Sequence, residues 1–232
     1  MQVMVIDDDA VSRLALVDLM QKMDFSDVLE FEDGLDAWKY LEKNPLPILC
    51  CCDVRMPKMS GIELLEKVRT NKNIKALSFV LITSGNDRDT VQNALMLGVS
   101  GYIVKPFNAG GAIEKLKEVF ANNWKDIAER PEATARRLSI SQEKLTGYFS
   151  AFNAQVEKLI HECEFTSDVL KLPNIDGQID AMQTGCLTLG LWHCSRQLEL
   201  LKTRQDKDDC LEMYLSAVKS TVNYQLRYLS AL

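Results

Sequence analysis

Four short apolar runs in the first half of this chain each end in polar or charged residues, and that recurrence narrows the possible folds more than any other feature. Val3-Met4-Val5-Ile6 ends in Asp7-Asp8-Asp9, and Leu46-Pro47-Ile48-Leu49-Cys50-Cys51-Cys52 ends in Asp53. Phe79-Val80-Leu81-Ile82 ends in Thr83-Ser84, and Tyr102-Ile103-Val104 ends in Lys105-Pro106. Runs this uniformly apolar read as strands covered on both faces, which is the parallel arrangement. In an open α/β sheet, ligands bind in the crevice outside the carboxyl ends of the strands. Four strands would then deliver carboxylates, a hydroxyl and an ammonium to one edge. Such a set suits a divalent cation and a phosphoryl group.

Strand and helix signals alternate over the first ~120 residues, the pattern of a doubly wound α/β domain. Strands are expected at 2–6, 28–31, 47–52, 78–83 and 101–104, and helices at about 10–23, 34–43, 61–70, 87–97 and 110–122. Asp33-Gly34 breaks the second strand from its helix, Ser60-Gly61 introduces the third helix, and Gly98 closes the fourth with a left-handed cap. Five parallel strands make one α/β domain over residues 1–123.

The alternation then stops. Trp124 to Glu129 extends the last helix until Pro131, and residues 131–137 read as a linker or loosely held turn, so 124–138 is a helix extension and linker. Residues 139–232 read as all-α. Ser139-Ile140-Ser141-Gln142 has capping-box spacing and opens a helix to about His161. Pro173-Asn174 and Asp176-Gly177 mark a loop, one long helix covers about 178–205, and a polar break follows at 205–209. Leu211, Leu215, Val218, Val222, Leu226 and Leu229 then recur at helical spacing. Three or four helices in a bundle or hairpin are expected.

With 47% hydrophobic and 26% charged residues, the composition is that of a globular protein rather than a disordered one. No apolar stretch approaches the ~20 residues needed to span a bilayer. The first residues lack the pattern of a signal peptide. Seven cysteines, three of them consecutive, make no disulfide framework, and reduced buried thiols in a cytoplasmic protein fit better. Consecutive strand residues face opposite ways, so Cys50, Cys51 and Cys52 cannot all converge on one metal. The net charge of -6 is shared by both halves: 14 basic and 18 acidic residues precede residue 124, and 13 and 15 follow. Neither half carries the positive field of a nucleic-acid reader.

Asp7, Asp8 and Asp53 held together would repel one another until a cation neutralises them. Asp53 can then attack phosphorus as a carboxylate nucleophile, while Lys105 meets the phosphoryl oxygens and the Thr83 hydroxyl donates to them. Plainer roles compete. Asp9 has the commonest role of an aspartate before a helix, as its N-cap. Ser84 can simply end a strand, and Lys105 alone would be an ordinary surface lysine. Pro106 gives Lys105 meaning, because a cis or tight-turn Lys-Pro peptide aims the ammonium inward.

Residues 1–122 resemble the receiver domain of two-component response regulators, of the chemotaxis-regulator type. The motifs carrying this are Val5-Ile6-Asp7-Asp8-Asp9, Asp53-Val54-Arg55-Met56-Pro57-Lys58-Met59-Ser60-Gly61, Ile82-Thr83-Ser84-Gly85 and Gly101-Tyr102-Ile103-Val104-Lys105-Pro106-Phe107. The resemblance implies a flavodoxin-like sheet with strand order 2-1-3-4-5. It further implies that Asp53 accepts a phosphoryl group from a partner histidine kinase. Asp8, Asp53 and the Arg55 backbone carbonyl would bind Mg²⁺, with Asp7 acting through water. Thr83 and Tyr102 would form a switch pair, Tyr102 rotating inward as Thr83 moves to the phosphoryl group. Catalysis beyond self-phosphorylation and self-dephosphorylation is not expected. Arg55, two residues past the acceptor, and Gly85, two past Thr83, lie near the site mouth, where an arginine can alter the phosphoryl lifetime.

The helical half resembles nothing recognisable. Its expected role is to bind a protein partner or a second copy under control of the receiver. Phosphotransfer or another enzymatic output, and an atypical DNA-binding output, are the alternatives. His193 has Arg196 three residues on but no following glycine, and His161 has Glu164 there. His193 also falls on a stripe with Met182, Cys186, Leu189 and Leu200, which favours a packed histidine. His161, Cys163, Cys186, His193, Cys194 and Cys210 lack the paired spacing of a zinc site.

Overall fold

Five parallel strands form one sheet in the order β2-β1-β3-β4-β5: β1 Gln2–Ile6, β2 Asp27–Phe31, β3 Leu49–Asp53, β4 Ser78–Thr83 and β5 Gly101–Val104. This computed structural model describes residues 1–85, 88–165 and 174–231, with the backbone alone at 88, 164, 165, 208 and 209. The chain divides into two units, Gln2–Asn123 and Trp124–Leu232 with Met1.

In the first unit, helices alternate with the strands: α1 Ala10–Lys22, α2 Gly34–Lys43, α3 Gly61–Thr70, α4 Arg88–Met96 and α5 Ala109–Ile127. Residue 87, the expected start of the fourth helix, lies outside the described residues. Local chemistry sets the helix starts. Asp9 accepts the Ser12 N–H at 2.8 Å and Asp33 that of Asp36 at 2.9 Å, while Ser60 and Glu63 form a reciprocal capping box. At Gly98 the backbone is left-handed (φ +74°) and ends α4 as expected.

Central strands β1, β3 and β4 are buried almost throughout, and α1, α2 and α3 cover them with Leu16, Met20, Leu41, Leu64, Leu65 and Val68. Each such side chain contributes about 1.5–3 kcal/mol by leaving water. The edge strands depart from the expected two-sided burial. β2 is mostly half-buried, and in β5 Tyr102 and Val104 are 41% and 45% exposed. An edge strand has a neighbour on one side only, and its apolar composition does not reveal this.

The second unit is helical but partitioned differently from expectation. Residues 131–137 are not a linker: α6 spans Pro131–Leu138, opened by a proline whose fixed φ suits the first turn. Long-range contacts hold it. Arg137 pairs with Glu129 at 2.8 Å, donates to the Thr188 carbonyl and lies over the Trp192 ring. Ser139 does not open the next helix. It closes α6 in a left-handed conformation, and Ser141 caps α7, Gln142–Phe165, by accepting from the Lys144 N–H.

The single helix expected over 178–205 is two: α8 Ile175–Thr188 and α9 Trp192–Lys202. Gly190 turns the chain at φ +71°, and its carbonyl accepts the Glu129 N–H at 2.7 Å. Buried Leu189 and Leu191 flank the turn, so the apolar pattern runs through the break and hides it. Asp176 and Gly177, expected in a loop, lie in α8; Pro173 is outside the described residues. His193 starts α9 and therefore shares no helix face with Met182 and Cys186. Finally, α10 (Lys207–Ser230) buries Leu211, Leu215, Val218 and Val222 and packs chiefly on α7. All seven cysteines are buried without a disulfide, and burial pushes the Cys51 thiol up to about 12.

Candidate functional site

Strands β1, β3 and β4 pair in a register that brings Asp7, Asp53 and Thr83 to one edge of the sheet. Asp7 follows the last residue of β1, while Asp53 and Thr83 are themselves the last residues of β3 and β4. Lys105 follows β5, joined to Thr83 by a backbone hydrogen bond of 2.6 Å, and the Lys105-Pro106 peptide is cis. The four expected strand ends thus meet, across 98 residues of chain.

At the centre, Lys105 Nζ donates to Asp7 Oδ2 and to Asp53 Oδ1, both at 2.7 Å. Backbone groups hold the other oxygens: the Arg55 N–H donates to Asp53 Oδ2 at 2.6 Å and the Asp9 N–H to Asp7 Oδ1 at 3.0 Å. Arg13 adds a bond to the Asp7 carbonyl at 2.7 Å. Thr83 Oγ1 lies 3.5 Å from the Gly85 backbone, too long for a firm bond. Its hydroxyl can therefore turn to another acceptor. Asp8 and Arg55 are exposed, and Asp9 serves as the α1 cap. Tyr102 lies on the exposed side of β5, opposite Leu81 rather than Thr83 in the strand register.

Below the carboxylates the loop after β3 closes tightly. The Gly61 N–H bonds the Val54 carbonyl at 3.0 Å, and a Cβ at Gly61 would stand 2.2 Å from the Asp53 carbonyl oxygen. The sequence marks Gly61 only as a helix start; its closeness to the Asp53 backbone carries no sequence signal. The pairing of Lys58 with Asp33, 25 residues apart, likewise carries no sequence signal.

Burial pushes the Asp7 carboxyl above its ordinary value, and the bonds from Lys105 and the Asp9 N–H only partly offset this. Burial works to lower Lys105, but its bonds to Asp53 and Asp7 prevail and raise it. Two carboxylates around one ammonium leave a net negative charge, to which exposed Asp8 adds. For Asp7 the linkage has a definite sign. A native pKa above the unfolded value of about 3.9 gives stability present below that value and lost as pH rises through the native pKa. In metal-free protein, the urea midpoint of Asp7→Asn should therefore gain on wild type as pH rises from 4 to 7. A difference that stays flat or shrinks over that range contradicts the direction given for Asp7.

The donors here are hard oxygens with residual negative charge, which suits Mg²⁺ rather than a soft metal. Among the described residues no three His, Cys, Asp or Glu side chains gather into a ready cluster. Mg²⁺ does not need one, since it keeps several waters and takes one or two carboxylates. The residues present therefore fit the ion.

Residues 3–117 match the family described as response regulator receiver domain. Chemotaxis protein CheY1 of Helicobacter pylori is 35% identical over 123 residues, which cover 53% of this chain and 99% of that protein. The chemotaxis protein CheY homolog of Campylobacter jejuni is 36% identical over 119 residues, 51% of this chain and 92% of that protein. Among solved structures, a putative response regulator from Chloroflexus aurantiacus shares 25% identity at a TM-score of 0.49, covering 52% of this chain and 97% of that one.

Proposed function

This chain belongs to the CheY-like response regulator receiver family, with a distinct helical region after its receiver, and from that premise we propose a phosphorylation-driven switch whose acceptor is Asp53. Receivers of this family are signalling switches in phosphorelays rather than conventional enzymes. The observation that carries the assignment of Asp53 is its carboxylate at the sheet edge, bridged to Asp7 by Lys105 at 2.7 Å.

In this reading an Asp53 oxygen attacks the phosphorus of a histidine kinase's phosphohistidine. A P–O bond forms as the P–N bond breaks, and the imidazole leaves with the bonding pair and takes up a proton. Lys105, already beside Asp53, turns its ammonium to the phosphoryl oxygens, where charge is greatest. The Arg55 N–H holds the other Asp53 oxygen and keeps the nucleophile oriented. Asp8, Asp53 and the Arg55 carbonyl would hold Mg²⁺, with Asp7 through water. When bound, the ion neutralises phosphoryl charge that the acidic cluster would otherwise repel.

The Thr83 hydroxyl then bonds the phosphoryl group and vacates its position, and Tyr102, 41% exposed on β5, rotates inward. A differential contact of ~1–3 kcal/mol between the two states is enough for a useful switch. We assign the receiver to residues 1–123 and the output to the helical unit that follows, in which 124–138, the end of α5 together with α6, leads into 139–232. The output would bind a protein partner or a second copy. No helix of the described residues is long and apolar enough to cross a membrane. Seven buried cysteines without a disulfide support a cytoplasmic setting.

Beryllium fluoride, a phosphoryl mimic, tests the reading. With Mg²⁺ it should shift the amide resonances of Asp53, Thr83 and Tyr102 in wild type and leave Asp53→Asn unmoved. Equal responses from the two proteins would remove Asp53 from the role.

A further inference from the structure

The loop from Val54 to Ser60 carries the Arg55 carbonyl, and one side of it is braced by groups the phosphoryl chemistry does not use. Lys58 Nζ donates to Asp33 Oδ2 at 2.6 Å. The Asp33 side chain is only 5% exposed, and its other oxygen caps α2 through the Asp36 N–H. Burial works to raise the Asp33 carboxyl, and the bonds from Lys58 and Asp36 hold it below its ordinary value. Lys58 itself has a left-handed backbone (φ 63°), which a lysine adopts only when its surroundings dictate it. A second contact lies beside the ion pair. A Cβ on Gly34 would stand 2.5 Å from the Met59 carbonyl oxygen, so the start of α2 and this loop already touch backbone to backbone.

We propose that Lys58 is a positioning residue for the metal-binding loop: by anchoring to the buried Asp33 carboxylate it fixes the loop after β3, and with it the Arg55 carbonyl that would ligate Mg²⁺. The proposal rests on the Mg²⁺ reading above. An ordinary exposed ion pair would be worth little, but here the partner is a buried helix cap rather than a solvated side chain. Groups that orient ligands from behind typically cost ten- to a hundredfold in metal affinity when removed.

The sign of the effect separates positioning from simple charge. Removing the Lys58 charge should tighten cation binding if only the local field matters, and should weaken it if the loop is released. Isothermal titration of the full chain with Mg²⁺ reads this directly. Lys58→Met and Asp33→Asn are each expected to weaken binding roughly tenfold. Because both cut the same link, the double variant should be little weaker than either single one. Asparagine still caps α2, and Lys58→Arg keeps the cation and should stay within about threefold of wild type. Tighter binding by Lys58→Met, or singles within twofold of wild type, overturns the positioning role while leaving the Mg²⁺ reading intact. If wild type takes up no Mg²⁺ that Asp53→Asn abolishes, the reading itself falls, and this inference with it.

Discussion

Asp53→Asn is expected to take up no phosphoryl label from acetyl phosphate and Mg²⁺, a loss on the order of 10³-fold or more, the scale seen when a covalent nucleophile is removed. The amide oxygen lacks the negative charge that makes a carboxylate attack phosphorus. The substitution changes little else. Asparagine is nearly isosteric, its oxygen can still accept the Arg55 N–H, and Lys105 retains Asp7 at 2.7 Å. A folded but unlabelled protein is therefore the expected product. In wild type the label should be an acyl phosphate, released by hydroxylamine, and EDTA should suppress it. The same edge holds two other acids, and they sharpen the test. Asp7 is fully buried with its oxygens committed to Lys105 and the Asp9 N–H, whereas Asp8 is exposed. Label persisting in Asp53→Asn would move the acceptor to Asp8 and undo the roles assigned around Asp53.

The convergence of Asp7, Asp53, Thr83 and Lys105 is legible in the sequence because each sits where a strand runs out, and an apolar run followed by Asp, Thr or Lys announces such an end directly. What the types of Asp7, Asp53 and Lys105 did not disclose is the order of contact, with one ammonium bonded to both carboxylates. That follows from strand register, a long-range property. The misreadings share this origin. α6 looked like a linker because Pro131, Arg136 and Arg137 are poor local evidence for a helix, whereas Glu129, Thr188 and Trp192 hold it from afar. The turn at Gly190 was hidden because Leu189 and Leu191 continue the apolar pattern on either side. Asp33 reads locally as part of a strand break and Lys58 only as part of a motif, and the fold alone makes them partners.

Gly61→Ala should do the largest damage of any small substitution near the site. The added Cβ would stand 2.2 Å from the Asp53 carbonyl oxygen, 3.1 Å from its carbon and 3.1 Å from the Cys52 sulfur. Two of these neighbours are backbone at the end of a central strand, so no side-chain rotation relieves the clash. Either β3 shifts from its pairing with β4, or the start of α3 moves out and breaks the bond from the Gly61 N–H to the Val54 carbonyl. Overpacking of this kind typically costs 1–3 kcal/mol, and a backbone-on-backbone conflict belongs at the upper end, about 3 kcal/mol. Gly85→Ala is the fitting control, since among the described residues nothing lies within 4 Å of its Cβ and a change within ~0.5 kcal/mol is expected. Hydrogen exchange of peptides from β3 and α3 in the full chain measures both. Protection should fall by roughly a hundredfold in Gly61→Ala, the factor that 3 kcal/mol corresponds to, and hold in Gly85→Ala. Because either adjustment disturbs Asp53 or the loop that follows it, phosphoryl uptake should fall too, even in the fraction that remains folded. Full protection together with full uptake would mean that the loop after β3 has room it does not show, and the tight closure behind Asp53 would have to be given up.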